Sequence, residues 1–126
     1  MRILIVDDSR IMRNIVKNTL KQLRYPDDTF VEAADGQQAW TILESTEVDL
    51  VLLDWNMPNL NGLELVKKLR AHPQYETLPI IMITSESAKY NVIEAVKAGV
   101  SDYMVKPVDE DSLGAKLHRI LRRGSS

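Results

Sequence analysis

The sequence predicts an α/β fold, a doubly wound five-stranded parallel sheet with five helices. Three observations lead to it. Leu50 to Leu53 and Leu78 to Ile83 are aliphatic runs without polar alternation, the pattern of strands covered on both faces. Strand-like and helix-like segments alternate about five times along 126 residues, which favours parallel strands joined by right-handed crossovers. Asp54 follows the first of those runs at once, at the carboxyl end of a central strand, where open α/β sheets hold their ligands.

In chain order, Arg2 to Val6 is short, apolar and rich in β-branched residues, and gives β1, stopped by Asp7-Asp8. Ser9 caps the helix that follows, α1, in which Ile11, Ile15, Leu20 and Leu23 are expected to form the buried stripe between solvated Arg13, Lys17 and Lys21. Tyr25-Pro26-Asp27-Asp28 ends it as a turn. Phe30 to Ala33 alternates poorly and includes Glu32, which suits a short edge strand, β2. Asp35 and Gln38 form a capping pair that opens α2, the helix carrying Ala39, Trp40, Ile42 and Leu43.

Leu50 to Asp54 is β3, and Met57-Pro58 keeps helix from starting immediately after it. Asn61 and Glu64 cap α3, expected from about Asn61 to Ala71 and closed by His72-Pro73. Leu78 to Ile83 is β4, with Pro79 tolerated only near its start, and it ends in Thr84-Ser85-Glu86. Ser87 caps α4, whose Val92, Ala95 and Val96 form an apolar stripe before Gly99 ends the helix. Tyr103 to Val105 is β5, stopped by Lys106-Pro107, and Asp109 opens α5, where Leu113, Leu117, Ile120 and Leu121 keep helical spacing up to Arg122-Arg123. No repeat, low-complexity tract or linker divides the chain, so residues 1–123 are expected as one domain and 124–126 as a flexible tail.

Composition narrows the partners. With 18 acidic and 16 basic residues the formal charge is −2, which gives no general attraction to nucleic acid or to an anionic membrane. Cysteine is absent, which excludes disulfides and thiolate metal sites and fits a reducing compartment. The first apolar run is too short for a signal peptide or a membrane span. The expectation is a soluble, unprocessed cytoplasmic protein.

The chemistry-bearing residues share one address. Asp7 and Asp8 stand at the end of β1, Asp54 of β3, Thr84 of β4 and Lys106 of β5, and in a parallel sheet these ends lie on one rim. Singly, each has an ordinary reading as a helix cap or turn residue. Jointly, three carboxylates repel one another by roughly 4 kcal/mol per pair at about 4 Å and an effective dielectric near 20, several times what helix-dipole capping returns. A hard divalent cation answers that need, and Mg²⁺ takes a few oxygen ligands and leaves the rest to water and phosphate. With Lys106 adding one more positive charge, the three carboxylates are balanced. A phosphoryl group on Asp54 would exchange one carboxylate charge for about two, which Mg²⁺ and Lys106 are placed to hold. A carboxylate is a competent nucleophile towards phosphorus, catalysis then resting on positioning and charge stabilisation, and the Thr84 hydroxyl can donate to a phosphoryl oxygen.

Val6-Asp7-Asp8-Ser9, Asp54-Trp55-Asn56-Met57-Pro58, Asn61-Gly62-Leu63-Glu64-Leu65, Thr84-Ser85-Glu86 and Ala98-Gly99-Val100-Ser101-Asp102-Tyr103-Met104-Val105-Lys106-Pro107 span nearly the whole chain. In order and spacing this set resembles the receiver domains of two-component response regulators, the CheY-like chemotaxis regulators in particular. The resemblance implies a flavodoxin/CheY-like strand order of 2-1-3-4-5. It implies Asp54 as the acceptor of phosphate from a histidine kinase, and Asp7, Asp8, Asp54 and the backbone carbonyl of Asn56 as Mg²⁺ ligands. By the same resemblance Thr84 and Tyr103 are a switch pair, Lys106-Pro107 is a cis peptide, and α4, β5 and α5 form the output surface with Lys89, Tyr90, Tyr103 and Lys116. Asn56 and Glu86 are polar types that recur where phosphorylation is short-lived, and imply loss of phosphate within minutes. The implied partners are a histidine kinase and a downstream protein, the flagellar motor switch being one candidate, with neither nucleic acid nor membrane and with a monomeric chain.

Plainer readings stand beside these. Tyr103 also fits an ordinary half-buried strand aromatic, Trp55 a shield of the rim, and Trp40 helix packing on the sheet. His72 and His118 have no sequence partner that suggests a metal or a triad and read as surface residues, and Met12, Met57 and Met82 as core or rim filler. The leading reading is a phosphoacceptor switch that catalyses only its own phosphorylation and dephosphorylation. Alternatives are the receiver of a larger regulator with an output domain, and an aspartate-nucleophile phosphohydrolase of the haloacid dehalogenase type. The latter needs an acid two residues after the nucleophile, where this chain has Asn56. A nucleotide-binding module is weaker still, because no glycine-rich loop follows β1.

Overall fold

The computed structural model describes residues 1–26, 29–55, 57, 61–84 and 89–125, the side chains of 89–92 and 122–125 lying outside that description. Strands and helices alternate throughout: β1 (Ile3–Val6), α1 (Arg10–Gln22), β2 (Phe30–Ala33), α2 (Gly36–Ser45), β3 (Leu50–Asp54), α3 (Gly62–Arg70), β4 (Ile80–Thr84), α4 (Lys89–Ala98), β5 (Asp102–Val105) and α5 (Glu110–Ser125). All pairings are parallel, and the strand order is β2-β1-β3-β4-β5. That order is the one the resemblance implied, CheY being a standing example of it.

Because strand side chains alternate between faces, the sheet divides the core in two. Ile3, Ile5, Leu50, Leu52, Ile81 and Ile83 pack with Val16 and Leu20 of α1 and with Leu113, Leu117 and Ile120 of α5. Leu4, Val6, Val51, Leu53, Ile80 and Met82 pack on the other side with α2 and α3, through Ala39, Trp40, Leu43, Leu65, Val66 and Leu69. Every residue of β1, β3 and β4 is buried, as their uninterrupted hydrophobicity requires. Each such aliphatic side chain stabilises the fold by about 1.5–3 kcal/mol, which fixes the register of the strands that carry the polar rim. Edge strand β2 is only partly covered, as Glu32 foretold.

The caps at Ser9, Asp35, Asn61 and Asp109 hold with one refinement, and Ser87, expected to cap α4, lies outside the described residues. Ser9 Oγ accepts from the Met12 N–H, Asp109 from Ser112, and Asn61 and Glu64 form a reciprocal capping box. Asp35 accepts from Gln38, but the Gln38 side chain accepts from Ala34 and not from the cap residue itself. Gly99, at φ 108°, ends α4 with its own N–H on Val96 and the Val100 N–H on Ala95, a Schellman closure that a side chain at that position would strain.

Three expectations change. The buried stripe of α1 is not Ile11-Ile15-Leu20-Leu23: Ile11 is 73 % exposed and Ile15 40 %, while Met12, Val16, Leu20 and Leu23 face the sheet. The helix is rotated by about one residue, so that Met12, Val16, Leu20 and Leu23 pack into the core while Arg13 and Lys17 pair with Glu32 on the neighbouring strand. On α4, Ala95 is buried but Val96 is 59 % exposed, one residue further round the helix, and the Val92 side chain lies outside the described residues. His72 is half-buried, its ring 4.9 Å from Trp40 and its Nδ1 2.9 Å from the Lys68 carbonyl, since the turn Pro73–Tyr75 folds it back over α2. His118 is exposed as expected. The last helix, α5, runs to Ser125. Among the described residues no helix is long and apolar enough to cross a membrane.

Candidate functional site

The parallel register carries the predicted residues to one rim. Val6 is level with Leu53, Asp54 with Ile83 and Thr84 with Val105, so the residues at or just past these strand ends converge. Asp7, Asp8 and Asp54 each offer an oxygen within 4.8 Å of the others. Asp7 and Asp54 are buried, and Asp8 is exposed. Lys106 Nζ lies 3.3 Å from Asp54 Oδ1 and 3.5 Å from Asp7 Oδ2, and its backbone N–H donates to the Thr84 carbonyl at 2.8 Å. Thr84 is buried as the last residue of β4. The Lys106-Pro107 peptide is cis.

Two local devices hold these groups. The Ser9 N–H donates to Asp7 Oδ1 at 2.8 Å while the Ser9 hydroxyl caps α1, so one residue orients both the acid and the helix. Arg13 Nη1 donates to the Asp7 backbone carbonyl at 2.6 Å. Under Asp54, the Gly62 N–H donates to the Trp55 carbonyl at 2.9 Å, and a Cβ on Gly62 would stand 3.0 Å from Trp55 Cα and inside contact distance of the Asp54 carbonyl oxygen. Neither Arg13 nor Gly62 received a role from the sequence. The only signals were an acid in mid-strand, Glu32, and a glycine at the first position of a helix.

The electrostatics show what the rim lacks. Burial pushes the Asp54 carboxyl above its ordinary value, the Asp7 charge pushes it further, and Asp8 adds to this, while the Lys106 charge and hydrogen bond pull it back. At 4.8 Å and an effective dielectric near 20, each carboxylate pair repels by about 3.5 kcal/mol. Three carboxylates against one ammonium leave two negative charges, which one divalent cation would balance. The donors are all carboxylate oxygens, a set that suits a hard ion such as Mg²⁺ and not a soft one. The residues therefore fit the group the resemblance implied. Asn56 and Glu86 lie outside the described residues.

Tyr103 is half-buried against the α2–α3 side of the core, with Lys116 Nζ 5.6 Å from its ring centroid. Asp102 pairs with Lys116 at 3.4 Å and with Arg119, joining β5 to α5. Beside them Ile93 and Val96 on α4 and Val105 on β5 stand 42 %, 59 % and 39 % exposed.

A buried acid at the end of a central parallel strand, flanked by two more acids and a lysine on neighbouring strand ends, marks a receiver-type fold. The chain belongs to the response regulator receiver domain family, whose model matches residues 3–118. It is similar to the chemotaxis protein CheY homolog of Campylobacter jejuni, 51 % identical over 99 % of this chain and 95 % of that one. It is also similar to chemotaxis protein CheY1 of Helicobacter pylori, at 48 % over 96 % and 97 %. Among solved structures, the chemotaxis response regulator CheY4 of Vibrio cholerae superposes with a TM-score of 0.84 at 34 % identity, covering 94 % of this chain and 97 % of that one. A putative response regulator from Chloroflexus aurantiacus gives 0.89 at 30 %, covering 96 % and 97 %. The protein is thus a CheY-like receiver domain of single-domain size, and receiver domains of this type are signalling switches.

Proposed function

We propose that this protein is a chemotaxis-type response regulator that takes a phosphoryl group from a histidine kinase onto Asp54 and thereby changes its affinity for a downstream protein. The observation that carries the reading is the convergence of Asp7, Asp8 and Asp54 on one rim with Lys106 bonded to the acceptor. Asp54 supplies the nucleophilic oxygen, its carbon skeleton fixed by the buried β3. Asp7, Asp8 and Asp54 would hold Mg²⁺, together with the Asn56 carbonyl by resemblance. When bound, the ion supplies charge neutralisation for the phosphoryl oxygens. Lys106 is within reach of both Asp54 and Asp7, so its ammonium is available to a phosphoryl oxygen once Asp54 carries one.

Thr84 is the hydroxyl on the adjacent strand end, and with Tyr103 it forms the switch pair. A phosphoryl group shifts an equilibrium only by what it binds differently in the two states, and these two residues with Lys106 are the groups placed to do so. The partner surface is α4–β5–α5, where Ile93, Val96 and Val105 leave apolar area in water beside Tyr103 and Lys116. Rapid loss of phosphate, within minutes, is assigned to Asn56 and Glu86. The flagellar motor switch is the downstream target we favour, in keeping with the similarity to chemotaxis proteins.

Incubation with Mg²⁺ and acetyl phosphate, followed by intact and fragment mass measurement, tests the reading. One phosphoryl group on the peptide containing Asp54 is expected, with none on Asp54→Asn. Undiminished labelling of that variant refutes the assignment. Lys106→Ala is expected to keep Mg²⁺ binding but to lose phosphorylation or switching.

A further inference from the structure

Of the three carboxylates, Asp7 and Asp54 are buried, and each is held by defined partners. Asp7 Oδ1 accepts from Ser9, its Oδ2 faces Lys106, and Asp54 Oδ1 faces the same lysine. Asp8 is different. Its side chain is exposed, so its place in the acidic cluster is set by its own backbone. That backbone begins with the Asp7–Asp8 peptide, a rigid plane whose carbonyl oxygen belongs to Asp7 and whose N–H belongs to Asp8. Whatever fixes the Asp7 oxygen therefore fixes the direction in which Asp8 leaves the strand.

We propose that Arg13 is a positioning residue for the acidic site, orienting the Asp7–Asp8 peptide through the Asp7 carbonyl while Glu32 of the edge strand orients Arg13. The inference rests on the reading of Asp7, Asp8 and Asp54 as a Mg²⁺ site. The guanidinium spans two partners, Nη1 to the Asp7 oxygen at 2.6 Å and Nε to Glu32 Oε1 at 3.0 Å, and the side chain is only 15 % exposed. A planar fork bonded along two of its edges has one orientation, which a lysine ammonium cannot reproduce. Lys17 Nζ holds the other oxygen of Glu32 at 2.9 Å, closing the far side of the network without touching the acidic turn.

The fold does not need Arg13 for its own sake. α1 is anchored by Val16 and Leu20 and capped by Ser9, and β2 is already paired with β1 along its whole length. Metal-site residues one step behind the ligands act in this way, and their loss ordinarily weakens metal binding by about 10- to 100-fold.

The sign of the effect separates positioning from plain electrostatics. Arg13 is a cation close to a cation site, so if only its charge mattered, Arg13→Ala would tighten Mg²⁺ binding. Positioning predicts the reverse. The test is a MgCl₂ titration of the unphosphorylated protein followed by amide proton and nitrogen shifts, with Arg13→Ala, Arg13→Lys, Glu32→Gln and Lys17→Ala beside the parent. Arg13→Ala is expected to weaken Mg²⁺ about tenfold or more and to displace the Asp8 amide resonance even before metal is added. Arg13→Lys and Glu32→Gln are expected to fall between it and the parent, and Lys17→Ala to stay within about twofold of the parent, because it breaks the same surface pairing without touching Asp7.

Equal or tighter binding by Arg13→Ala overturns the proposal, and so does an equal loss in Lys17→Ala, which would mark the network as a generic brace. If Arg13→Ala does not fold, Arg13→Lys and Glu32→Gln carry the same comparison. A parent protein that binds no Mg²⁺ would instead overturn the metal-site reading. The Asp8 amide in the metal-free variants then still decides the role of Arg13.

Discussion

Gly62→Ala is the substitution that most directly tests how α3 seats Asp54. The Gly62 N–H is bonded to the Trp55 carbonyl at 2.9 Å, so the first turn of α3 presses on the backbone that carries Asp54. An added Cβ would lie 3.0 Å from Trp55 Cα and 3.1 Å from the Asp54 carbonyl carbon, both tighter than the 3.4 Å at which ordinary contact begins. The nearest atom is the Asp54 oxygen, from which the helix must retreat by about 1 Å to regain a normal separation. All of these atoms are backbone, so no side chain can swing aside.

Overpacking of this kind costs about 1–3 kcal/mol, and loss of the Trp55 bond adds roughly 1 kcal/mol. Against this, alanine is favoured over glycine within a helix by about 1 kcal/mol. The balance is a destabilisation of about 1–3 kcal/mol by the same figures. A displacement near 1 Å at a reacting group slows chemistry by about 100-fold. Urea unfolding reads the first quantity, and the initial rate of acetyl phosphate labelling at saturating Mg²⁺ reads the second. Val66→Ala, which empties space deeper on the same helix, serves as control and is expected to lose stability without a comparable loss of rate. Unchanged stability with an unchanged labelling rate in Gly62→Ala, or an equal slowing in the control, would refute the close-approach argument.

Three further outcomes are expected. Without divalent metal, Asp54→Asn should stabilise the fold: two repulsions of about 3.5 kcal/mol each outweigh one attraction to Lys106 of about 5 kcal/mol, leaving roughly 2 kcal/mol, and a lower unfolding midpoint would contradict this. Burial works to raise the Glu32 carboxyl, but the hydrogen bonds and charges of Lys17 and Arg13 together hold it below 4.5. Its contribution is therefore present above pH 4.5 and lost as the pH falls through the lower folded value, so Glu32→Gln should flatten the stability profile in that acid range, and an unaltered slope would count against it. Ser101 Oγ accepts from the buried Ile80 N–H at 3.0 Å, so Ser101→Ala should cost about 1–3 kcal/mol and speed hydrogen exchange at that amide, which unchanged protection would disprove.

Much of the fold was legible in one dimension because the signals that carried it are local. A run such as Leu50-Val51-Leu52-Leu53 has no polar face to offer solvent, and Ser9, Asn61 and Asp109 meet helix N–H groups only three residues away. The rim was legible for the same reason, since a strand end is a sequence position and parallel strands bring their ends together. The stripe of α1 was not. Ile11-Ile15 and Met12-Val16-Leu20-Leu23 both keep helical spacing about 100° apart, and hydrophobicity alone favoured the isoleucines. Which stripe is buried is decided by the fit of Met12, Val16, Leu20 and Leu23 to the core, and the rotation that results also lets Arg13 and Lys17 reach Glu32, fifteen to nineteen residues away in sequence.

By itself, then, the sequence determined the alternation of strands and helices, the caps, and the identity of the acids and the lysine that meet at the rim. Tertiary structure alone decided which face of α1 is buried, that Gly62 lies against the backbone of Asp54 and Trp55, and that Arg13 bonds to the peptide between two acids. Each of these depends on distances between segments remote in the chain, and such distances are fixed only when close-packed elements leave a single arrangement open.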